Sequence, residues 1–238
     1  MDPLIVILAA GASSRMKKSA PVAAGLEEQL LLEVRTKPKS MIALGDHERP
    51  LMDYLLHNIR AAGYEDVTIV VSEHDEHIRS YYGASPDQQR SFGLHLSYAL
   101  QRIPSGRVKP LGTADALQQA LTERTDWKGK TFTVCNSDNI YSQRALALLR
   151  ESHSPCALID YDRNALRFEQ SRIEQFAVIQ KDDEGFLVDI IEKPTKEQLH
   201  SAADARGRIG ISMNVYRFSY DLVFPLLGLV PLHPVRQE

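Results

Sequence analysis

The loop Leu8-Ala-Ala-Gly11-Ala-Ser-Ser-Arg15-Met16 places small residues ahead of an arginine, and Lys17 and Lys18 follow at once. Small side chains let a backbone approach a polyphosphate closely, and a planar guanidinium forks onto phosphate oxygens. Neither G-x-x-x-x-G-K-[ST] nor G-x-G-x-x-G is present, so the loop is neither a Walker loop nor a dinucleotide fingerprint. Taken alone it leaves two readings open: phosphate binding, or a tight turn carrying a solvated arginine.

Other reactive side chains stand where apolar runs end. Asp138 follows the run TFTVCNS, the pair Glu192-Lys193 follows FLVDII, and Gln101 follows LHLSYAL. Each has a plain structural reading as well. An aspartate after a strand is often a turn residue or helix cap, a Glu-Lys pair is a solvated charge pair, and an exposed glutamine needs no explanation. His74 and His77 have the spacing of two metal ligands on a helix, but no third ligand accompanies them. A polar helix start is the reading adopted for His74-Asp-Glu-His77.

The elements that must position these residues alternate along the chain. Leu4–Ala9 is a continuous apolar run, the pattern of a strand buried on both faces. A helix pattern covers Leu51–Ala62 and stops at Gly63, where a left-handed cap is cheap. Strands are expected over Asp66–Ser72, Leu94–Leu100, Thr131–Asn136 and Cys156–Tyr161, with helices over Glu73–Tyr82, Thr113–Glu123 and Gln143–Glu151. This alternation predicts an α/β domain around a mainly parallel sheet. After about residue 170 the rhythm changes. Phe176–Lys181 and Phe186–Glu192 flank the turn-rich DDEG as a hairpin, followed by a strand over Ile211–Phe218 and a helix over Tyr220–Leu227. No repeat, low-complexity linker or clear domain boundary is visible. Ligands of open α/β sheets sit beyond the carboxyl ends of the strands, which singles out the loops after Ala9, Leu100 and Asn136.

Composition excludes several partners. With 28 basic and 31 acidic residues, a formal net charge of −3 provides no bulk basic field for nucleic acid or anionic lipid. The apolar stretch Leu222–Leu232 is broken by Pro225, Gly228 and Pro231, and a membrane span needs about 20 residues. The N-terminus lacks the basic region and processing site of a signal peptide. Cys135 and Cys156, isolated from one another, make neither a zinc site nor a disulfide framework, so a cytoplasmic setting is expected.

Together these blocks resemble the sugar-1-phosphate nucleotidyltransferases, also called nucleotide-sugar pyrophosphorylases. That family opens with a strand and L-A-A/G-G-x-G/S-x-R-M/L, then a P-K segment leading to a P-L/M-I-x-Y/H helix. Here the pieces are Leu8 to Met16, Lys37-Pro38-Lys39 and Pro50-Leu51-Met52-Asp53-Tyr54. Gln101, Leu111-Gly112-Thr113-Ala114, Asn136-Ser137-Asp138-Asn139, Glu192-Lys193-Pro194 and Gly210-Ile211 follow in the family's order.

The resemblance implies a Rossmann-like three-layer α/β/α fold with a mixed, mainly parallel sheet. It also implies a single domain over residues 1–238, with nucleotide bound by 1–150 and sugar phosphate by 151–238. The implied reaction is transfer of a nucleotidyl group from an NTP to a sugar 1-phosphate, giving an NDP-sugar and pyrophosphate with Mg²⁺ as cofactor. Arg15 would hold the β- and γ-phosphates, Lys39 would reach the phosphates, and Asp138 would bind the metal as the third catalytic residue. Leu8, Ala10, Gly11, Gln101, Gly112 and Thr113 would bind the nucleotide, with Gln101 and the Gly112 backbone reading the base edge. Asn139, Glu192 and Lys193 would bind the sugar phosphate, Glu192 through sugar hydroxyls and Lys193 by neutralising charge.

The chain departs from the family at three places. Ser13 stands where many members have glycine, and its hydroxyl can still donate to phosphate. The stretch between Arg15 and Lys39 is longer than in many members; the surplus, Lys17–Thr36, contains a helical segment at Leu26–Arg35 and suggests a lid or an oligomer contact. The late metal-binding aspartate of a W-x-D-x-G-like segment has no counterpart, and Asp221 sits where a helix N-terminal residue would. A shortened copy, or a second carboxylate from elsewhere, would account for that. Two alternatives to the enzyme of the first reading follow: a catalytically weak nucleotide-sugar-binding or regulatory homologue, and a cytidylyltransferase acting on a non-sugar phosphate. Gln101 with Gly112 suits a uracil or thymine edge, whereas L-G-T-A also resembles guanylyltransferases, leaving base and sugar open.

Overall fold

A computed structural model describes residues 2–11, 28–45, 48–83 and 92–234. They form two compact units, Met1–Cys156 with Arg217–Glu238, and Ala157–Tyr216. The first unit opens with β1 (Leu4–Leu8), then α1 (Glu28–Thr36), α2 (Leu51–Ala61), β2 (Asp66–Ser72) and α3 (Ile78–Tyr82). It continues with β3 (His95–Gln101), α4 (Thr113–Glu123), β4 (Thr131–Asn136) and α5 (Gln143–Glu151).

Strands β3, β2, β1 and β4 lie side by side in that order, all parallel. Their sequences explain their place. Ile5, Val6 and Ile7 are wholly buried, as are Val67, Ile69, Val70 and Val71, because both faces of a central parallel sheet are covered. On α2, Met52, Leu55, Leu56 and Ile59 recur at helical spacing and are fully enclosed. Burial of each such side chain is worth about 1.5–3 kcal/mol. The helix ends at Gly63, whose φ of 86° is the left-handed conformation the sequence predicts there.

Helix α3 is shorter than the expected Glu73–Tyr82. The reason is Asp75: its Oδ1 accepts from the Ile78 N–H at 3.0 Å and its Oδ2 from the Arg79 N–H at 2.9 Å. That carboxylate, two residues ahead of the N-cap His77, takes up the first two N–H groups of the helix, which starts behind the histidines.

The second unit contains β5 (Ala157–Leu158), β6 (Tyr161–Asp162), α6 (Gln170–Ile173), β7 (Val178–Lys181), β8 (Leu187–Ile191), α7 (Lys196–Ser201) and β9 (Gly210–Ile211). Its sheet has the order β8-β7-β9-β6 and is antiparallel throughout. The predicted hairpin is β7–β8. Asp182 Oδ1 accepts from the Glu184 and Phe186 N–H groups, and Gly185 takes a φ of 87°. A small core forms around Val178, Ala202 and Ile211.

The segment expected as one strand over Ile211–Phe218 is two pieces. Asn214 adopts a φ of 55°, which breaks the extended run between β9 and β10 (Val215–Ser219). The chain then returns to the first unit, where β10 adjoins β4 and leads into α8 (Tyr220–Leu227). Arg217 is buried there and donates to the Leu149, Arg150 and Ser154 carbonyls, satisfying the C-terminal end of α5. The architecture is an α/β fold on a mainly parallel sheet. No helix among the described residues is long and apolar enough to cross a membrane.

Candidate active site

Register decides which loops meet. Leu8 pairs with Asn136, and Ser72 with Gln101, so the carboxyl ends of β1, β4, β2 and β3 open on one edge of the sheet. The loop after β1 is tied on both sides. The Ala9 N–H donates to the Val70 carbonyl at 2.8 Å, and the Ser137 N–H to the Leu8 carbonyl at 3.1 Å. Ala9 and Ala10 are buried and Gly11 is exposed. A Cβ on Gly11 would meet nothing within 4 Å, so its surroundings are open rather than packed.

Asp138 lies just beyond β4. Its Oδ2 accepts from Lys39 Nζ at 3.1 Å, joining two residues far apart in sequence. Lys39 begins a single 3₁₀ turn, Lys39–Met41, that is anchored by buried Ser40 and Met41. Lys37, two positions earlier, faces elsewhere: it pairs with Glu33 of α1, whose other oxygen accepts from the Ala43 N–H at 2.9 Å. Of two lysines that the sequence barely separates, Lys39 is the one beside Asp138.

A cleft of about 320 Å³ opens next to the loop after β1. Ala10, Gly11 and Gln101 line it together, with Thr36 from the end of the surplus segment and Pro38 just after it. Gln101 is buried at 4% exposure, not the exposed glutamine of the plain reading. Its Nε2 donates to the Leu111 carbonyl at 2.7 Å, the Gly112 carbonyl at 3.2 Å and Asp115 Oδ2 at 2.8 Å. The Leu111–Gly112 turn is thereby fastened to β3, and Gly112 also accepts the first helical bond of α4 from Ala116.

The remaining expected residues are placed as follows. Leu8 ends β1 and is part-buried; Thr113 is exposed at the first position of α4. Asn139 donates to the Tyr141 hydroxyl at 3.2 Å, one residue beyond Asp138. Glu192 and Lys193 are exposed at the end of β8 in the second unit, Lys193 with a φ of 50°, ahead of a capping box between Thr195 and Gln198. Arg15 and Lys17–Leu26 lie outside the described residues. Asp221 accepts from the Gly129 N–H at 3.3 Å in the first turn of α8, a local structural role. Asp115 and Gln119, which the sequence presents as an ordinary polar helix face, were missed; only their spacing behind Gly112 could have flagged them.

Among the described residues no group of three His, Cys, Asp or Glu side chains converges. Asp138 offers one half-exposed carboxylate, which fits Mg²⁺ held jointly by one protein oxygen and the phosphates of a substrate.

The nucleotidyl transferase family profile matches residues 5–228, nearly the whole chain. The chain belongs to the nucleotidyl transferase family. Among curated relatives of this family member, the UTP–glucose-1-phosphate uridylyltransferase of Synechocystis sp. is 27% identical over 212 residues, 87% of this chain and 50% of that protein. The glucose-1-phosphate adenylyltransferase of Koribacter versatilis is 22% identical over 210 residues, 87% of this chain and 49% of that protein. The chain thus spans about half the length of these relatives. A crystal structure of a UDP-glucose pyrophosphorylase complexed with UDP-glucose matches the whole chain and 83% of its own, with a TM-score of 0.66 and 18% identity, which establishes the shared fold.

Proposed function

We propose that this nucleotidyl transferase family member moves a nucleotidyl group from an NTP to a sugar 1-phosphate, releasing pyrophosphate. The observation that carries the reading is the Lys39–Asp138 pair, beside the loop that lines the cleft. Family membership supports the reaction class, and relatives acting on glucose 1-phosphate support the acceptor.

In such a transfer an acceptor phosphate oxygen attacks the α-phosphorus in line and pyrophosphate departs. The protein has little covalent work; orientation and charge neutralisation carry the rate. Lys39 exchanges its carboxylate partner for phosphate oxygens when nucleotide enters. Ala10 and Gly11 let the backbone approach the nucleotide, and Arg15 stabilises the leaving pyrophosphate. Asp138 would be the protein's carboxylate toward Mg²⁺, and the ion would offset phosphate charge. In the second unit Lys193 neutralises the sugar phosphate and Glu192 accepts from sugar hydroxyls. The two free cysteines fit a reducing, cytoplasmic setting.

Pyrophosphate release over a panel of NTPs and sugar 1-phosphates tests the proposal. Turnover with at least one pair, abolished by chelating divalent cations, is the expected result. Nucleotide binding without turnover of any pair would replace it by the reading of a binding or regulatory homologue.

A further inference from the structure

Helix α2 is bonded to both halves of the Lys39–Asp138 pair, one near each end. At its entry the Leu51 N–H donates to the Ile42 carbonyl at 3.1 Å, and Ile42 closes the turn that begins at Lys39. Ala43 pairs with Pro50 and Leu44 with Arg49, and the Tyr54 hydroxyl donates to the Leu44 carbonyl at 3.1 Å. The segment carrying Lys39 is thereby fastened to the start of the helix. Two turns on, Asn58 reaches the loop that carries Asp138, where its Nδ2 donates to the Tyr141 carbonyl at 2.9 Å. A carbonyl only accepts, so the amide nitrogen must face it, and Asn58 Oδ1 accepts from Gln143 Nε2 at 3.4 Å. From Leu51 to Asn58 a helix rises about 10 Å, a length its internal hydrogen bonds keep fixed.

Tyr141 carries that fixed point to the carboxylate. Its ring is buried at 2% exposure, so close packing allows it one place. Its hydroxyl accepts from the Asn136 N–H at 3.4 Å and from Asn139 Nδ2 at 3.2 Å. Asn136 ends β4 and Asn139 follows Asp138, so one buried oxygen spans the turn on which Asp138 stands. The Asp138 side chain is itself half-exposed, and its place follows from the backbone that these bonds hold. We propose that α2 is the strut that sets the Lys39–Asp138 spacing, with Asn58 and Tyr141 as positioning residues that hold the Asp138 carboxylate toward the metal and the phosphates. The inference rests on the reading of Asp138 as the protein's carboxylate toward Mg²⁺. Hydrogen-bonding partners behind a ligating carboxylate are worth about 10–100-fold in metal affinity or activity, and a displacement of about 1 Å from a remote change can cost as much.

Calorimetric titration of the full chain with the four NTPs, with Mg²⁺ and with a chelator, reads the metal's share of binding apart from catalysis. The readout is the ratio of the Mg²⁺-free Kd to the Kd with Mg²⁺. Asp138→Asn should lower that ratio and so define the part its carboxylate supplies. Tyr141→Phe keeps the ring and loses one oxygen. It and Asn58→Leu should each lower the ratio by about tenfold, toward that of Asp138→Asn, while the Mg²⁺-free Kd moves by less than about twofold. A merely structural role would weaken NTP alike with and without Mg²⁺, and a ratio unchanged in Tyr141→Phe overturns the proposal. A double-mutant cycle gives a second readout. Tyr141→Phe should lower kcat by about tenfold in the unmodified protein and by less than about twofold in the Asp138→Asn background, because it acts through that carboxylate. Equal losses in both backgrounds overturn the proposal. Should Asn58→Leu fail to fold, Tyr141→Phe decides alone. The expected ratios without pyrophosphate release defeat the transfer reading and uphold this one. A ratio that Asp138→Asn leaves unchanged overturns this one while pyrophosphate release upholds the transfer; no NTP binding at all overturns both.

Discussion

The Lys39 ammonium and the Asp138 carboxylate, 3.1 Å apart, retain 43% and 37% of their side-chain exposure. A pair so exposed contributes about 0–1 kcal/mol to stability, so the fold does not depend on it. The same two charges beside a phosphate would act where charge develops in the transition state, and one such group is worth about 10²–10³ in rate. The two roles separate cleanly by mutation. Asp138→Asn and Lys39→Ala should each lower kcat by about a hundredfold or more while the melting temperature moves by only a few degrees. Lys37→Ala is the control, because Lys37 is engaged with Glu33 rather than Asp138. It should leave kcat close to that of the unmodified protein. Equal losses for Lys37→Ala and Lys39→Ala would show that positive charge in the region matters and its placement does not.

At the scale of elements, strands and helices with one dominant period were legible in the sequence. Asp66–Ser72, Thr113–Glu123, Thr131–Asn136, Gln143–Glu151 and Tyr220–Leu227 fall where apolar spacing puts them. What was not legible depends on single residues that override the period: Asp75 taking up the first N–H groups of α3, and Asn214 turning the backbone between β9 and β10. The site followed the same division. Loops at strand ends could be named, but the choice of Lys39 over Lys37 and the burial of Gln101 needed long-range partners. Another such partner joins three elements of the first unit. Arg124, just past α4, reaches Asp66 at the start of β2 through two bonds of 2.9 and 2.5 Å, and Ser97 of β3 at 3.1 Å. Burial raises the Asp66 pKa, but the Arg124 guanidinium outweighs it and holds the carboxyl below its ordinary 3.8. A depressed carboxylate stabilises the fold above its unfolded value, and that contribution disappears as pH falls through the folded value. Thermal melts should therefore show a steepening loss of stability below about pH 4. Asp66→Asn should be less stable at neutral pH and have a flatter acid limb; parallel profiles would assign the acid loss to other carboxylates.

Across the whole molecule the two units differ in how much they enclose. The first buries Ile5, Val6, Ile7, Val67, Ile69 and Val70 completely, whereas the second centres on Val178, Ala202 and Ile211 and leaves Phe186 and Val188 more than 60% exposed. Local opening costs least where few apolar contacts are broken. Amides of β7 and β9 should accordingly exchange at least about tenfold faster than those of β1, β2 and β4 under native conditions. Ligands then give this difference a functional meaning, because whatever binds only the closed form of a unit multiplies its protection by 1 + [L]/Kd. If the cleft beside Gly11 and Gln101 takes the nucleotide, NTP should slow exchange in the first unit, around residues 9–11 and 101–112. If Glu192 and Lys193 take the sugar phosphate, a sugar 1-phosphate should slow exchange at residues 191–195 in the second, an effect that Lys193→Ala removes while the NTP response stays. Protection by sugar phosphate confined to the first unit would instead place both substrates on the parallel sheet, and Glu192-Lys193 would revert to a solvated charge pair at a strand end.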